Sequence, residues 1–212
     1  MEKESFKSIL AKAVMSGIMI GIGGTVYLAV DNKYLGGFLF SLGLFTIVQF
    51  GFSLYTGKVG YIPENKPIYI REVLITLLGN ICGTGIAAFL IRLTRTGDIV
   101  HEKAVVAMET KMDDSFISKL VLGFFCGMLM YIAVENAKMS RSKSIDFSVV
   151  FGVAMPVMVF IFCGFNHSVA DCYYLFAANP SAEGALYILI VAVGNALGGM
   201  TIPLVKKLYD KK

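Results

Sequence analysis

Charged residues are scarce in this sequence. Aspartate, glutamate, lysine and arginine make up 16% of the 212 residues, whereas a soluble domain carries about 25%. The charges are clustered, and windows such as Tyr34 to Gly57 contain none. Hydrophobic residues make up 56% of the chain, and its mean hydropathy is +0.71. This composition excludes an ordinary soluble domain and predicts an all-α polytopic membrane protein with one domain, residues 1–212.

Patterns that mark several other function classes are also missing. Without a basic stripe interleaved with exposed aromatic residues, we expect no nucleic-acid partner. The cysteines form no CxxC or Cys/His spacing, so we expect small apolar residues in packed helices, and no metal or cofactor. These cysteines are Cys82, Cys126, Cys163 and Cys172. The sequence contains no G-x-S-x-G motif, no H-E-x-x-H motif and no paired intramembrane aspartates, which argues against an enzyme.

The uncharged windows predict six membrane-spanning helices, each long enough for a core of about 30 Å. Their predicted extents are Ala11–Val30, Tyr34–Tyr55, Arg71–Leu93, Phe116–Glu135, a fifth helix from Phe147, and Gly184–Val205. The N-terminus has no small-residue cleavage site after a short apolar core, so we predict a retained first helix and not a signal peptide. Between the third and fourth helices, Ala104–Thr110 predicts a short amphipathic helix that reaches Lys111.

The basic residues are distributed unequally between the two sides of these six helices. One side carries Lys3, Lys7, Lys12, Lys58, Lys66, Arg71, Lys138, Arg141, Lys143, Lys206, Lys207, Lys211 and Lys212. The other side carries Lys33, Arg92, Arg95, Lys103, Lys111 and Lys119. The positive-inside rule therefore predicts that both termini are cytoplasmic and that the protein lies in the cell (inner) membrane.

Two polar stretches interrupt the apolar pattern. Gly164–Asp171 reads GFNHSVAD and contains one of only two histidines. Polar groups at bilayer depth indicate a functional site by default, and we interpret this stretch as the centre of a transport path. The other stretch, Ser53–Lys58, predicts either a broken second helix or an ordinary helix end with a glycine stop.

A short repeat relates the two halves of the chain. The motif Gly79-Asn80-x-x-Gly83 recurs as Gly194-Asn195-x-x-Gly198, and the interruption in the second helix corresponds to that in the fifth. Three helices repeated once must lie in opposite orientations, so the sequence predicts inverted repeats over residues 11–93 and 116–205. Paired interrupted helices in inverted halves indicate a site near the bilayer midplane.

With these elements in order, the chain resembles the formate/nitrite transporter family. The resemblance rests on Gly164–Asp171, which is close to the family's GFEHSVAN, on Gly37–Leu44, on Leu54–Gly57 and on the two GN-x-x-G motifs. It implies an aquaporin-like protomer in a homopentamer, with one pore in each protomer. It also implies passage of small monovalent anions such as formate, nitrite or hydrosulfide, in some members together with protons.

The resemblance further implies roles for individual residues. His167 would be the central pore histidine, Lys111 a lysine near it, and Thr56 a polar contact from the second helix. Asn166 and Ser168 would flank the histidine in the pore. Phe40, Leu44 and Phe160 would form one apolar constriction, and Leu54 and Tyr55 would contribute to the other.

The sequence departs from the family pattern at four places. Asn166 stands where the family has Glu, and Asp171 where it has Asn. Ser53 replaces a Glu, and Gly127 replaces an Asn that would complete a polar cluster with the lysine and the histidine. The chain is also short for the family. These departures are typical of a divergent branch.

Other interpretations of the same residues remain open at this point. His167 could be a structural histidine that bridges two broken helices, and Lys111 a solvated loop lysine. The apolar residues at helical spacing could be packing only, and His101 is expected to be exposed. Asp171 could cap the second half of the fifth helix, pair with His167, or face the cytoplasmic vestibule.

Two other functions compete with anion transport. The helix arrangement also suits an aquaporin-like channel for neutral solutes, although the paired Asn-Pro-Ala motifs are absent and Asn179-Pro180 is followed by Ser181. A membrane protein with packing interactions alone is the other, and the paired helix interruptions argue against it.

Overall fold

The computed structural model describes residues 4–140 and 147–209, and the regular structure in those ranges is helical. The α-helices are α1 (Phe6–Ala29), α2 (Lys33–Phe50), α3 (Tyr55–Lys58), α4 (Tyr69–Arg92), α5 (Gly97–Asp113), α6 (Phe116–Ser140), α7 (Phe147–Phe162), α8 (Ser168–Ala177) and α9 (Ala182–Tyr209). A 3₁₀ helix, Val59–Glu64, follows α3. Five of the basic residues used to predict the orientation, Lys3, Arg141, Lys143, Lys211 and Lys212, lie outside the described residues.

Five helices in the described ranges are long and apolar enough to cross a membrane. They are α1, α2, α4, the Phe116–Lys138 part of α6, and α9. The apolar part of α7, Val149–Phe162, is shorter. These five helices establish a multi-pass helical membrane protein. The sequence predicted six spans, and α7, with α8 after it, occupies the place of the fifth.

Two helices end beside a glycine in the left-handed conformation. α2 ends at Phe50, and Gly51 follows with φ +68°; α7 ends at Phe162, and Gly164 has the same φ. Glycine adopts this conformation without steric cost, which makes it a common helix terminator. The sequence predicted that the second helix continues to Tyr55. The chain instead leaves the helix at Gly51 and becomes helical again at Tyr55.

The helix between α4 and α6 is longer than predicted. The sequence predicted Ala104–Thr110, but α5 runs over 17 residues from Gly97 to Asp113. Val100, Ala104 and Met108 are buried along one face of α5, a spacing of four residues that places them on one stripe of a helix. Lys111 consequently lies in the last turn of α5 and not in a loop.

Close helix crossings hold the bundle together. A Cβ added to Gly83 of α4 would collide with the Val14 carbonyl of α1, and one added to Gly198 of α9 would collide with the Phe124 carbonyl of α6. Small residues at such crossings let helix backbones approach closely in lipid. α1 therefore packs tightly on α4, and α6 packs tightly on α9.

The short helices α3 and α8 lie inside the bundle. All residues of α8 are buried except Phe176, and the first three residues of α3 are also buried. By contrast, the long helices carry exposed apolar side chains such as Leu78, Phe89 and Leu189. This distribution suits a bundle that presents apolar side chains to lipid and keeps its non-helical backbone inside.

Candidate functional site

Asn80 of α4 bonds to the segment between α2 and α3. Its Nδ2 donates hydrogen bonds to the carbonyl oxygens of Ala13 at 2.8 Å and Ser53 at 2.9 Å. Its Oδ1 accepts a hydrogen bond from the Tyr55 amide at 2.8 Å. The residue is fully buried. Because non-helical peptide groups at bilayer depth need partners, Asn80 stabilises this segment and connects it to α1.

Asn195 of α9 makes the matching bonds in the other half of the chain. Its Nδ2 donates to the carbonyl oxygens of Gly123 at 2.8 Å and Asn166 at 2.9 Å. Its Oδ1 accepts a hydrogen bond from the Ser168 amide at 2.9 Å. Asn195 is also fully buried. It therefore stabilises the segment between α7 and α8 and connects it to α6.

His167 and Thr56 bring these two segments into contact. Nε2 of His167 lies 3.0 Å from Oγ1 of Thr56, and both residues are buried. His167 is also the N-cap of α8, because its Nδ1 accepts a hydrogen bond from the Ala170 amide at 3.1 Å. A ring nitrogen that accepts a hydrogen bond carries no proton. The neutral ring therefore bears its hydrogen on Nε2, which donates a hydrogen bond to Thr56.

The ammonium group of Lys111 lies beside the histidine but bonds to residues on either side of it in sequence. Nζ donates a hydrogen bond to Oδ1 of Asn166 at 2.7 Å and forms an ion pair with Oδ1 of Asp171 at 3.2 Å. Oδ2 of Asp171 accepts a hydrogen bond from the Tyr187 hydroxyl at 2.8 Å. None of the three roles proposed for Asp171 from the sequence describes this arrangement: the cap of α8 is His167, and the partners of Asp171 are Lys111 and Tyr187.

Two buried polar atoms near the histidine have no hydrogen-bond partner among the described residues. They are Nδ2 of Asn166 and Oγ of Ser168. The lysine ammonium can only donate, so the oxygen of the Asn166 amide faces Lys111 and its NH₂ group points elsewhere. Buried polar groups are nearly always satisfied. Both atoms therefore have unused hydrogen-bonding capacity.

Apolar side chains pack directly against the histidine. The rings of Phe40 and Phe160 meet edge to face, with centroids 5.8 Å apart, and the ring of Phe160 lies 5.5 Å from that of His167. Both phenylalanines and Leu44 are buried. The predicted set Phe40, Leu44 and Phe160 is thus buried next to the polar centre.

The second predicted apolar set lies on the segment after α2. Leu54 and Tyr55 are both buried. The Tyr55 hydroxyl donates a hydrogen bond to the Ala192 carbonyl at 3.0 Å. This bond connects α3 to α9 and fixes the position of the Tyr55 ring.

Two cavities lie at opposite ends of α2. The α3 cavity, of about 350 Å³, is lined by residues that include Leu44, Ile47, Leu54, Gly57, Lys58 and Tyr61. The α5 cavity, of about 460 Å³, is lined by residues that include Tyr27, Lys33, Val106, Lys111, Asn166 and Tyr174. Lys33 begins α2 and Ile47 lies near its end, about 20 Å away along the helix. Gly57 of the first lining follows Thr56 and Asn166 of the second precedes His167, so the Thr56–His167 pair is flanked in sequence by one residue of each lining.

The α5 cavity also carries an exposed ion pair. Nζ of Lys103 lies 2.9 Å from Oδ1 of Asp31, whose side chain is 97% exposed. The hydrogen bond from Lys103 lowers the pKa of the Asp31 carboxyl below its ordinary value. Water screens such a pair strongly, which distinguishes it from the buried pair of Lys111 and Asp171.

Gly127 is a helix-contact residue. A Cβ at this position would collide with the Asn195 carbonyl of α9. The site has no room for the asparagine that the family resemblance would place there, so the polar cluster is built without it. Lys111 bonds to Asn166 and Asp171 instead.

The remaining histidine lies on α5, and the four cysteines lie on or directly after α4, α6, α7 and α8. His101 is half-buried, and its Nδ1 lies 2.9 Å from the Ala177 carbonyl, so the expectation of full exposure was wrong. Cys126 and Cys172 are buried, whereas Cys82 and Cys163 are exposed, and all four thiols are free. Within the described ranges, no group of three histidine, cysteine, aspartate or glutamate side chains is arranged to hold a metal ion.

Sequence comparison finds similar proteins among transporters. The chain is 27% identical to the formate channel FocB of Escherichia coli over 187 residues, which cover 79% of this chain and 65% of FocB. It is 25% identical to the formate-nitrite transporter of Plasmodium malariae, over 90% of this chain and 72% of that protein. It covers only 36% of the yeast transporter YHL008C, at 23% identity. The chain thus spans about a third to two thirds of the first two curated relatives, FocB and YHL008C.

Solved structures share the fold. A pentameric formate channel with formate bound superimposes with a TM-score of 0.79 at 24% identity, over the full length of both chains. An ion channel of the same family gives a TM-score of 0.80 at 20% identity, over 96% of this chain and 90% of that one. The family model described as formate/nitrite transporter matches residues 2–209. The chain belongs to the formate/nitrite transporter family.

Proposed function

We propose that this protein is a membrane channel for small monovalent anions of weak acids, such as formate, nitrite or hydrosulfide, with flux coupled to protons through His167. The observation that carries the proposal is the buried contact between Thr56 and His167, whose sequence neighbours Gly57 and Asn166 each line one of the two cavities. Family membership supports a channel or transporter and not an enzyme. The relative named a formate channel supports the anion class.

The architecture that goes with this function is a single aquaporin-like domain of six spans in two inverted repeats, residues 11–93 and 116–205. The bonds of Asn80 and Asn195 support it, because each asparagine bonds to one neighbouring helix, to a carbonyl within one interruption and to the first amide of the short helix that follows. The left-handed Gly51 and Gly164 precede the two interruptions at matching positions. The second and fifth spans are then broken helices, α2 with α3 and α7 with α8.

Each predicted residue has a role in this proposal. His167, Thr56, Asn166, Ser168 and Lys111 form the polar centre that an anion reaches from the α5 cavity. The unpartnered Asn166 and Ser168 atoms supply hydrogen-bonding groups to it. The apolar residues on either side form the constrictions: Phe40, Leu44 and Phe160 form one, and Leu54 and Tyr55 contribute to the other.

The chemistry of the centre addresses the cost of moving an anion through a medium of low dielectric. The idealised cost of burying a bare ion is of order 20 kcal/mol. Hydrogen-bond donors and the positive end of α8 reduce that cost at the centre. His167 then supplies a hydrogen bond or, as an imidazolium, a proton. An anion that becomes a neutral acid crosses the apolar constriction far more easily than a charged one.

Assembly and location form a further part of the proposal. We place the chain in the inner membrane of the cell as a homopentamer, with both termini in the cytoplasm. The pentameric formate channel that shares the fold supports the pentamer, and the asymmetry of basic residues supports the orientation. Native mass spectrometry of the protein in detergent would reveal five subunits; a monomer or dimer would overturn this part.

Anion flux into proteoliposomes at two pH values tests the function. We expect uptake of formate, nitrite or hydrosulfide that rises with inward proton supply, and we expect His167→Asn or His167→Phe to abolish or uncouple it. Thr56→Val removes only the hydroxyl that contacts Nε2 and should also reduce flux. Thr201→Val is the matched control, since that hydroxyl bonds to the Leu197 carbonyl of its own helix. A pH dependence that stays unchanged in His167→Asn would contradict the role of the histidine.

A neutral-solute channel of aquaporin type is the second candidate. The observation in its favour is the neutral arrangement of the His167 ring, whose Nδ1 accepts from the Ala170 amide while Nε2 faces Thr56. Such a centre is able to bond water or glycerol. Fast glycerol or water flux without anion flux in the same proteoliposomes would favour this alternative.

A further inference from the structure

The buried carboxylate of Asp171 has a single cationic partner among the described residues. Its side chain is 2% exposed, and Oδ1 lies 3.2 Å from Nζ of Lys111. Oδ2 accepts a hydrogen bond from Tyr187, so both oxygens have a partner. Tyr187 lies on α9 and Lys111 on α5. The carboxylate is therefore held from two sides, and its charge compensates that of the lysine.

Lys111 is a cation of the α5 cavity that contacts the polar centre directly, through Asn166. It lines that cavity, and its side chain is only 19% exposed. Its hydrogen bond to Asn166 fixes its Nζ next to the residue that precedes His167. An uncompensated ammonium at this place would attract every anion strongly, because charges interact with little screening in a partly buried site.

The pairing with Asp171 changes what an anion meets in this cavity. A cation and an anion 3.2 Å apart act on a third charge mainly as a dipole, so most of the net attraction is lost. What remains are hydrogen-bond donors that carry no net charge, including the unpartnered Nδ2 of Asn166. A permanently charged anion depends on net attraction to enter an apolar path, whereas the anion of a weak acid is able to lose its charge by protonation.

We propose that Asp171 determines selectivity: by neutralising Lys111, it favours anions of weak acids over permanently charged anions such as chloride and nitrate. The inference rests on the proposed function and adds a residue to it. Asp171 touches Lys111 and Tyr187 and acts on the anion through the lysine, so it is a positioning residue. Its effect is expected in the ratio of fluxes for two anions more than in the flux of either one.

The test is the ratio of chloride flux to formate flux in proteoliposomes of the intact protein. Asp171→Asn keeps the shape of the side chain and an acceptor for Tyr187 but removes the charge. We expect the ratio to rise about tenfold, because the Lys111 ammonium is then uncompensated. Asp171→Glu restores the charge and should return the ratio towards that of the wild type, even if the extra methylene lowers both fluxes.

Two control variants distinguish the effect of the Asp171 charge from the effect of its packing and hydrogen bonds. Asp31→Asn removes a carboxylate at the same cavity that also pairs with a lysine, but its side chain is 97% exposed; the ratio should not change. Tyr187→Phe removes the second bond of Asp171 and keeps its charge, so stability should fall while the ratio stays at the wild-type value. A ratio that shifts equally in Tyr187→Phe and Asp171→Asn would overturn the proposal.

Further outcomes keep this inference distinct from the proposed function. Wild-type protein that carries none of formate, nitrite and hydrosulfide would overturn the proposed function. Wild-type formate flux with an unchanged ratio in Asp171→Asn would overturn the role of Asp171 alone. If Asp171→Asn does not fold, Asn166→Asp tests the same electrostatics, since a second carboxylate beside Lys111 should lower the ratio. An unchanged ratio in that variant would also overturn the proposal.

Discussion

Asn80 and Asn195 make the same three kinds of hydrogen bond in opposite halves of the chain. Each donates from Nδ2 to a helix carbonyl and to a carbonyl in a non-helical segment, and each accepts from an amide two residues further along that segment. Both side chains are fully buried. Thr56 and His167 meet because these two asparagines hold the segments that carry them.

Replacing Asn195 by alanine should destabilise the protein strongly. The change leaves the buried Ser168 amide and the Asn166 carbonyl without their partner. An orphaned buried group costs about 1–3 kcal/mol, so we expect a loss of about 2–4 kcal/mol in the free energy of unfolding. Thermal unfolding of the protein in detergent measures it. Asn65→Ala is the control, because exposed Asn65 donates one bond to the Tyr61 carbonyl. Equal effects of the two changes would contradict this interpretation.

A side chain at Gly127 should force α6 and α9 apart. The added Cβ of Gly127→Ala would collide with the Asn195 carbonyl, and overpacking of this kind costs about 1–3 kcal/mol. Gly127→Asn should be worse still. The measurement is again the midpoint of thermal unfolding.

The matched control for Gly127 is Gly85→Ala on α4. A Cβ there would meet the Phe176 ring at 3.5 Å, which is an ordinary contact. Alanine is also the better helix former by about 1 kcal/mol, so the midpoint should stay or rise. A midpoint of thermal unfolding that is unchanged in Gly127→Ala would contradict the tight contact of α6 and α9 at this glycine.

Phe160→Leu should widen the apolar path next to His167. The edge of the Phe160 ring contacts Phe40, and both rings are buried. An apolar pocket discriminates between two substrates that differ by one carbon by about tenfold or more. The ratio of acetate flux to formate flux should therefore rise by up to about tenfold. Phe151→Leu on the same helix is the control, because that ring is 49% exposed. A ratio that rises in neither variant, or equally in both, would argue against a constriction at Phe160.

The sequence predicted the helical class and the family, because these depend on long uncharged windows and on one unusual local motif. Helix bounds were less accurate: the Gly51 stop and the full length of α5 were missed. Gly51 is a signal that could have been used, since glycine at a helix end often takes the left-handed conformation.

The ion pair of Lys111 with Asp171 could not be predicted from local sequence. The two residues lie on α5 and α8, and their contact depends on how these helices cross in the folded bundle. The three roles considered for Asp171 each used a neighbour in sequence or a side of the membrane. Tyr187, the other partner of Asp171, lies on α9. Side-chain pairs between distant helices leave no periodic pattern in a single sequence.

At Nδ1 of His167, binding of a proton and acceptance of the N-cap hydrogen bond are mutually exclusive. The lone pair of Nδ1 accepts the Ala170 amide and so begins α8. An imidazolium would carry a proton there, and the helix would lose a cap that is typically worth about 0.5–2 kcal/mol. Each turnover that passes through the imidazolium would therefore loosen the first turn of α8, which carries Asp171. Protonation of the histidine would in this way also affect the position of the carboxylate that pairs with Lys111.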